Sequence, residues 1–120
     1  PYEFSIQGNG DETRTFCYIT DAISGIITAL EKGKNRQIYN VGNGREEISM
    51  GKLANKIASM FGREIKIVQN GEEAGQAPGG TTRRCPCVKK LESLGWTPKV
   101  NLEQGLLLTM KWYLNNGVSQ

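Results

Sequence analysis

One stretch narrows the possible folds more than any other: residues 8–21, G-N-G-D-E-T-R-T-F-C-Y-I-T-D. Gly8-Asn9-Gly10-Asp11 is a dense turn signal, because glycine and asparagine tolerate the positive φ of a tight hairpin. Residues 14–19 then alternate polar or small with bulky apolar side chains, the period of a half-buried strand. Thr20 or Asp21 can cap a helix by accepting from the free N–H groups of its first turn. The expected order is strand, hairpin turn, strand, helix, with Phe4-Ser5-Ile6 pairing against residues 15–19. Arg14 stands at the mouth of the turn. A guanidinium held there can meet an anion with a planar, two-pronged donor pair.

The remaining chain alternates helices and short strands. Residues 21–32 predict a helix in which Ile23, Ile26, Ile27 and Leu30 form one apolar face. Gly33 sits where a left-handed C-cap belongs. Residues 37–41, β-branched and aromatic, predict a strand closed by Gly42-Asn43-Gly44. Ser49 caps a helix over 50–61 that buries Met50, Leu53, Ile57, Met60 and Phe61. Residues 64–68 alternate as a strand. From 70 to 82 glycines and Pro78 predict a long loop, a length usually reserved for function or mobility. Val88, Leu91 and Leu94 mark a short helix ending at Gly95, with Trp96 packing back onto Leu91. Asn101 and Gln104 have the spacing of a capping box. They open a last helix over 102–114, faced by Leu102, Leu106 and Met110. Trp112 and Tyr113 read as core or lobe-interface residues, and Tyr18 as core packing.

A chain of 120 residues supports one domain with one modest core. No apolar run approaches the ~20 residues that cross a bilayer, and the first residues lack the charged start and apolar block of a secretory leader. The chain begins at Pro1, which suggests processing or excision from something longer. Net charge is +3, and only Arg83-Arg84 and Lys89-Lys90 are adjacent basic pairs. That is not the basic stripe with aromatic platforms of a nucleic-acid binder. Cys17, Cys85 and Cys87 are expected to be reduced thiols in a cytoplasmic protein. There is no histidine, so a zinc site is short of ligands. A Ser-His or Cys-His nucleophile within the chain is excluded.

Residues 8–21 resemble the segment that opens the substrate-binding lobe of the extended short-chain dehydrogenase/reductase family, the NAD-dependent sugar-nucleotide epimerases and dehydratases. Its pattern there is G-[DN]-G-x-[QE]-x-R-x-F-x-Y-V-x-D. Residues 39–42, Y-N-V-G, match the family's Y-N-[VIL]-G strand. Residues 78–98, P-G-G-T-T-R-R-C-P-C-V-K-K-L-E-S-L-G-W-T-P, are similar to its C-terminal signature, P-G-[EHD]-x-x-R-R-x-P-D-[IT]-x-K-x-x-x-L-G-[WY]-x-P. Residues 102–113 match the continuation L-E-x-G-L-x-x-T-x-x-W-Y. The resemblance implies an α/β fold: a small C-terminal lobe of short strands, the hairpin plus two or three more, and about four helices. It implies that residues 1–120 form a single nucleotide-sugar-binding domain detached from its Rossmann domain. It also implies that Arg14, Arg84 and Arg83 bind substrate, Arg14 on the diphosphate and Arg84 near the phosphates or sugar. Arg83 either shares that role or pairs with an acid. The chain departs from the pattern at Ala77, Gly80 and Cys87, and the first two leave the nucleoside contact open.

Hydride chemistry in this family needs G-x-x-G-x-x-G at a helix N-terminus and a Tyr-x-x-x-Lys pair. Neither spacing occurs here, so no catalytic residue, metal or cofactor is expected in this chain. NAD is expected on an absent N-terminal domain. The implied function is to bind the nucleoside-diphosphate part of a nucleotide sugar, UDP-linked by default. It would do so for an epimerase of the UDP-glucose 4-epimerase type or a dehydratase. Expected partners are that nucleotide sugar and the missing Rossmann domain, with the full-length enzyme a homodimer and no nucleic acid or membrane involved. An apolar patch is expected where the larger lobe would sit. The alternative is a stand-alone, non-catalytic interaction module of the same fold. A longer native product with an upstream glycine-rich strand–helix unit favours the first reading; an authentic product of this length favours the second.

Overall fold

The computed structural model describes residues 2–62, 65–70 and 81–117. The fold is mixed α/β. In chain order it runs β1 (Tyr2–Gln7), β2 (Thr13–Arg14), α1 (Ile19–Lys32), β3 (Ile48–Ser49), α2 (Met50–Met60), β4 (Ile65–Asn70), β5 (Arg83–Arg84), α3 (Lys89–Glu92) and α4 (Leu102–Asn116). The backbone packs as two compact units, residues 1–14 with 47–85 and residues 15–46 with 86–120.

The first unit holds every strand found among the described residues. β1 and β4 pair in parallel, from Tyr2 opposite Ile65 to Gln7 opposite Asn70. A parallel pair needs a long crossover, and α2 lies within it. β2 is the centre of a second sheet, antiparallel to β3 and parallel to β5. The expected hairpin therefore does not form, and residues 15–18 lie outside any strand. The turn itself is as expected: Gly8 and Gly10 take φ of 70° and 77°. Its hydrogen bonds explain where it leads. The Gly10 and Glu12 carbonyls accept from the N–H groups of Gly51 and Met50, both at 2.9 Å. These are free donors of a helix start, so the turn docks on α2 instead of folding back on β1. A Cβ at Gly10 would lie 3.1 Å from the Gly51 backbone, so glycine also permits the approach. Ser49 caps α2 as expected, its hydroxyl accepting from the Lys52 N–H at 3.3 Å. Leu53, Ala54 and Ala58 are buried. Phe61, expected to be buried, is exposed, because the helix ends at Met60 and the chain turns away at Gly62, φ 61°.

The second unit is helical and irregular among its described residues. Its core is Val88, Leu91 and Trp96, joined by Ala29, Tyr39, Val41 and Leu94. α1 enters this core through Gly25: a Cβ there would lie 2.8 Å from Val41 Cγ1 and 3.2 Å from the Trp96 ring. The expected inward face of α1 is turned outward. Ile23, Ile26 and Ile27 are about half exposed and Leu30 is 83% exposed, whereas Asp21 and Gly25 are buried. Close approach at a residue without a side chain brings the Asp21–Gly25 line inward, and the isoleucines point away from it. Asp21 is not the N-cap; Tyr18 holds that position without a side-chain bond. Instead Asp21 Oδ2 accepts from the backbone N–H groups of Lys99 (3.0 Å) and Val100 (2.8 Å). Gly33 ends α1 in an extended conformation, φ −66°, not a left-handed one.

Residues 37–41 form no strand. Two of their side chains bond outside any ladder: the Tyr39 hydroxyl accepts from the Lys34 N–H at 2.9 Å, and Asn40 Nδ2 donates to the distant Cys87 carbonyl at 3.1 Å. The C-terminal signals read as expected. Gly95 turns at φ 92°, Trp96 joins Leu91 in the core, and Asn101 with Gln104 forms the capping box of α4. Glu46 adds a carboxylate at the same helix start, accepting from the Leu102 N–H at 2.6 Å. Trp112 and Tyr113 are more than half exposed, so neither is core in this unit.

Candidate functional site

Two of the three arginines singled out by sequence are neighbours. In the parallel pairing of β2 with β5, Thr13 lies opposite Arg83 and Arg14 opposite Arg84. Paired residues of adjacent strands project from the same face, about 4.8 Å apart along the hydrogen-bonding direction. Arg14 and Arg84 thus share one face of the β3-β2-β5 sheet, although 70 positions separate them in sequence. Arg14 is partly buried. Its Nη1 donates to the Thr13 carbonyl at 2.8 Å and its Nη2 to Glu12 Oε2 at 3.0 Å. A guanidinium has five N–H donors, so two are engaged and the rest remain for a ligand. Arg84 is exposed, and its side chain has no hydrogen-bond or ion-pair partner among the described residues. Two cations side by side on one sheet face make a site for a compact polyanion, with each charge-assisted bond worth about 1.5–3 kcal/mol.

Glu12 competes for Arg14. It stands two residues before Arg14, just ahead of β2, and its Oε2 takes one Arg14 donor. Replacing it with glutamine should tighten binding of inorganic pyrophosphate by about two- to fivefold at low salt, the worth of one partly exposed ion pair. An NMR titration of Glu12→Gln against the parent chain reads this; an unchanged affinity would mean that Glu12 does not hold Arg14 back.

Arg83 faces the other way, because successive residues of a strand alternate faces. Its Nε and Nη2 donate to Glu47 Oε1 and Oε2, both at 2.8 Å, a two-pronged pair. The Thr13 hydroxyl donates to the same carboxylate. Arg83, then Thr13, hold the Glu47 carboxyl below its usual range, and Glu47 in turn raises the Arg83 guanidinium. Sequence reasoning missed Glu12 and Glu47. The first could have been found from its two-residue offset. The second is 36 positions from Arg83 and carries no local signal. Ala77, Gly80 and most of the loop expected over 70–82 lie outside the described residues.

The second unit carries a groove of about 510 Å³ between residues 16–19 and α4, lined by Phe16, Tyr18, Ile19, Leu106 and Trp112 among others. No charged side chain lines it, so it is unsuited to phosphate. Tyr18, expected as core packing, lies here against Gly105 of α4, where a Cβ would sit 3.5 Å from its ring. Cys17 also lines the groove. Burial, then the Asp21 charge, pushes its thiol above the ordinary range, which lowers its thiolate fraction. None of Cys17, Cys85 and Cys87 is joined in a disulfide. Among the described residues no group of His, Cys, Asp and Glu side chains could hold a metal ion, and no helix is long and apolar enough to cross a membrane.

A family model described as the NAD dependent epimerase/dehydratase family matches residues 3–42. The chain is 31% identical over 117 residues to a probable GDP-L-fucose synthase of Oryza sativa subsp. japonica, covering 98% of this chain and 34% of the relative. It is 32% identical over 114 residues to the dTDP-D-glucose 4,6-dehydratase of Homo sapiens, covering 92% of this chain and 32% of the relative. Among solved structures, the UDP-glucose 4-epimerase of Thermotoga maritima with UDP-glucose superposes with a TM-score of 0.78. That match has 28% identity over 95% of this chain and 35% of that one. The chain thus spans about a third of the length of the curated relatives it matches.

Proposed function

Since the chain belongs to the NAD-dependent epimerase/dehydratase family, we propose that residues 1–120 bind the diphosphate bridge of a nucleotide sugar through Arg14 and Arg84. The observation that carries this reading is their pairing on adjacent parallel strands. A nucleoside diphosphate sugar bears two negative charges on neighbouring phosphates. Two guanidinium groups on one sheet face match that spacing, one anchored by Glu12 and one open. Arg83, held by Glu47 on the opposite face, acts through the sheet. The base is uridine by default, and relatives carrying UDP, GDP and dTDP sugars all fit a clamp that grips only the bridge.

NAD belongs elsewhere. A dinucleotide needs a glycine-rich turn between a strand and a helix N-terminus. Among the described residues α1 follows Tyr18, α2 follows Ser49 directly from β3, and α4 follows Asn101. None offers that cradle, so we assign the cofactor and the redox residues to a companion dinucleotide-binding domain. The apolar stripe on α1, from Ile19 through Ile23, Ile26 and Ile27 to Leu30, supports a companion of that kind. Apolar surface removed from water contributes about 25 cal/mol per Å², and this stripe is bare in its own unit.

With the companion's contacts missing, this chain should bind UDP-glucose no tighter than about millimolar, roughly −4 kcal/mol. Arg14→Ala and Arg84→Ala should each weaken that binding by about tenfold or more, the worth of one charge-assisted bond. An NMR titration of the three proteins reads the effect. Sub-micromolar binding by the parent chain, or parental affinity in both variants, would contradict the proposal.

A further inference from the structure

We propose that Glu47 is a positioning residue for the Arg14–Arg84 pair. It ties the two outer strands of the β3-β2-β5 sheet together over the central one, and so sets which face Arg84 occupies. This rests on the diphosphate-binding reading above and deepens it.

The sheet is poorly held by its backbone. β2, β3 and β5 are two residues long each, and strands that short carry little ladder energy. β5 is joined to β2 beyond the ladder by one further backbone bond, Thr13 N–H to the Thr82 carbonyl at 2.9 Å. The side chains supply a second tie. Glu47 immediately precedes β3 on one edge, Arg83 lies in β5 on the other, and Thr13 lies in β2 between them. One carboxylate takes both Arg83 donors and the Thr13 hydroxyl. A one-residue slip of β5 would move Arg83 off Glu47. It would also carry Arg84 to the face away from Arg14, because side chains alternate. The same hydrogen bonds, from Arg83 and then Thr13, hold the Glu47 carboxyl below its usual range.

A tie of this kind and a simple charge effect make opposite forecasts. Glu47→Gln removes a negative charge near an anion site, and charge alone would then favour the anion. Loss of positioning would disfavour it. The pair lies at the surface, where ion pairs contribute little to global stability, so the variant should stay folded.

The test uses the full chain with UDP-glucose as probe and follows two readouts by NMR: probe affinity and hydrogen exchange at the Thr13 amide. Glu47→Gln should weaken binding by about threefold or more and speed Thr13 exchange by a similar factor. The charge-swapped pair, Glu47→Arg with Arg83→Glu, keeps the net charge and rebuilds the tie. It should return both readouts to within about twofold of the parent. Parental or tighter binding in Glu47→Gln, unchanged Thr13 exchange, or no recovery in the swapped pair would overturn the inference. If the parent chain fails to bind, or Arg84→Ala binds as well as the parent, the diphosphate reading itself falls, and this inference falls with it. Parental binding confined to Glu47→Gln removes only the role given to Glu47.

Discussion

Leu91→Ala is expected to cost about 3 kcal/mol, within the 2–5 kcal/mol range for emptying a packed leucine site. Leu91 is completely buried, at 0% exposure, between Val88 and Trp96. Its neighbours are poorly placed to fill a void. The Trp96 ring is fixed by its Nε1 donating to Ser24 Oγ at 3.0 Å, and α1 already approaches this core at Gly25. For a chain of this size each kcal/mol shifts the midpoint by about 4 °C, so Tm should fall by on the order of 12 °C. Leu91→Met, which conserves volume, should cost under about 1.5 kcal/mol. Thermal unfolding followed by circular dichroism separates the two; equal Tm values would show that Leu91 does not organise the second unit.

Asp21→Ala should be nearly as damaging, at about 2–4 kcal/mol, because it leaves two backbone donors without an acceptor. Asp21 is 4% exposed, and a single oxygen serves both Lys99 and Val100. Those bonds lead the chain into Asn101, the cap of α4. Asp21→Asn keeps a carbonyl oxygen for both donors and should cost less than half as much. It also removes the charge that, after burial, raises the Cys17 thiol. The Asn variant should therefore react faster with a thiol reagent at pH 8 than the parent does. Equal loss in both variants would place the effect on the charge and not on the acceptor.

What the sequence makes legible is what is local. The Ser49 cap, the Gly95 turn and the Asn101–Gln104 box each depend on residues within a few positions, and each stands as expected. Pairing does not read out in the same way. The alternation around residues 4–6 indicates a strand, but the partner, β4, begins about 60 residues later and runs parallel. A turn rich in glycine announces a reversal without saying which element receives it; here α2 does. Residues 37–41 have strand-like side chains but find no partner strand, and Tyr39 and Val41 are used to cover Leu91 and Trp96 instead. On α1 the 3.6-residue period identifies an apolar face. Which side turns inward was set by Gly25, a residue the period ignores, and by Asp21, whose partners lie 78 and 79 positions away. The arginines were legible as types in a pattern. Their adjacency, and the two acids that hold Arg14 and Arg83, are consequences of strand register.

The most direct measurement is the response of the arginine side chains themselves. In a ¹⁵N-labelled chain titrated with UDP-glucose, the Nε–Hε signals of Arg14 and Arg84 should move together along one binding curve, while that of Arg83 stays with Glu47 and moves little. If the probe binds while Arg14 and Arg84 stay still, or if only one of them responds, the two guanidinium groups do not grip a single diphosphate.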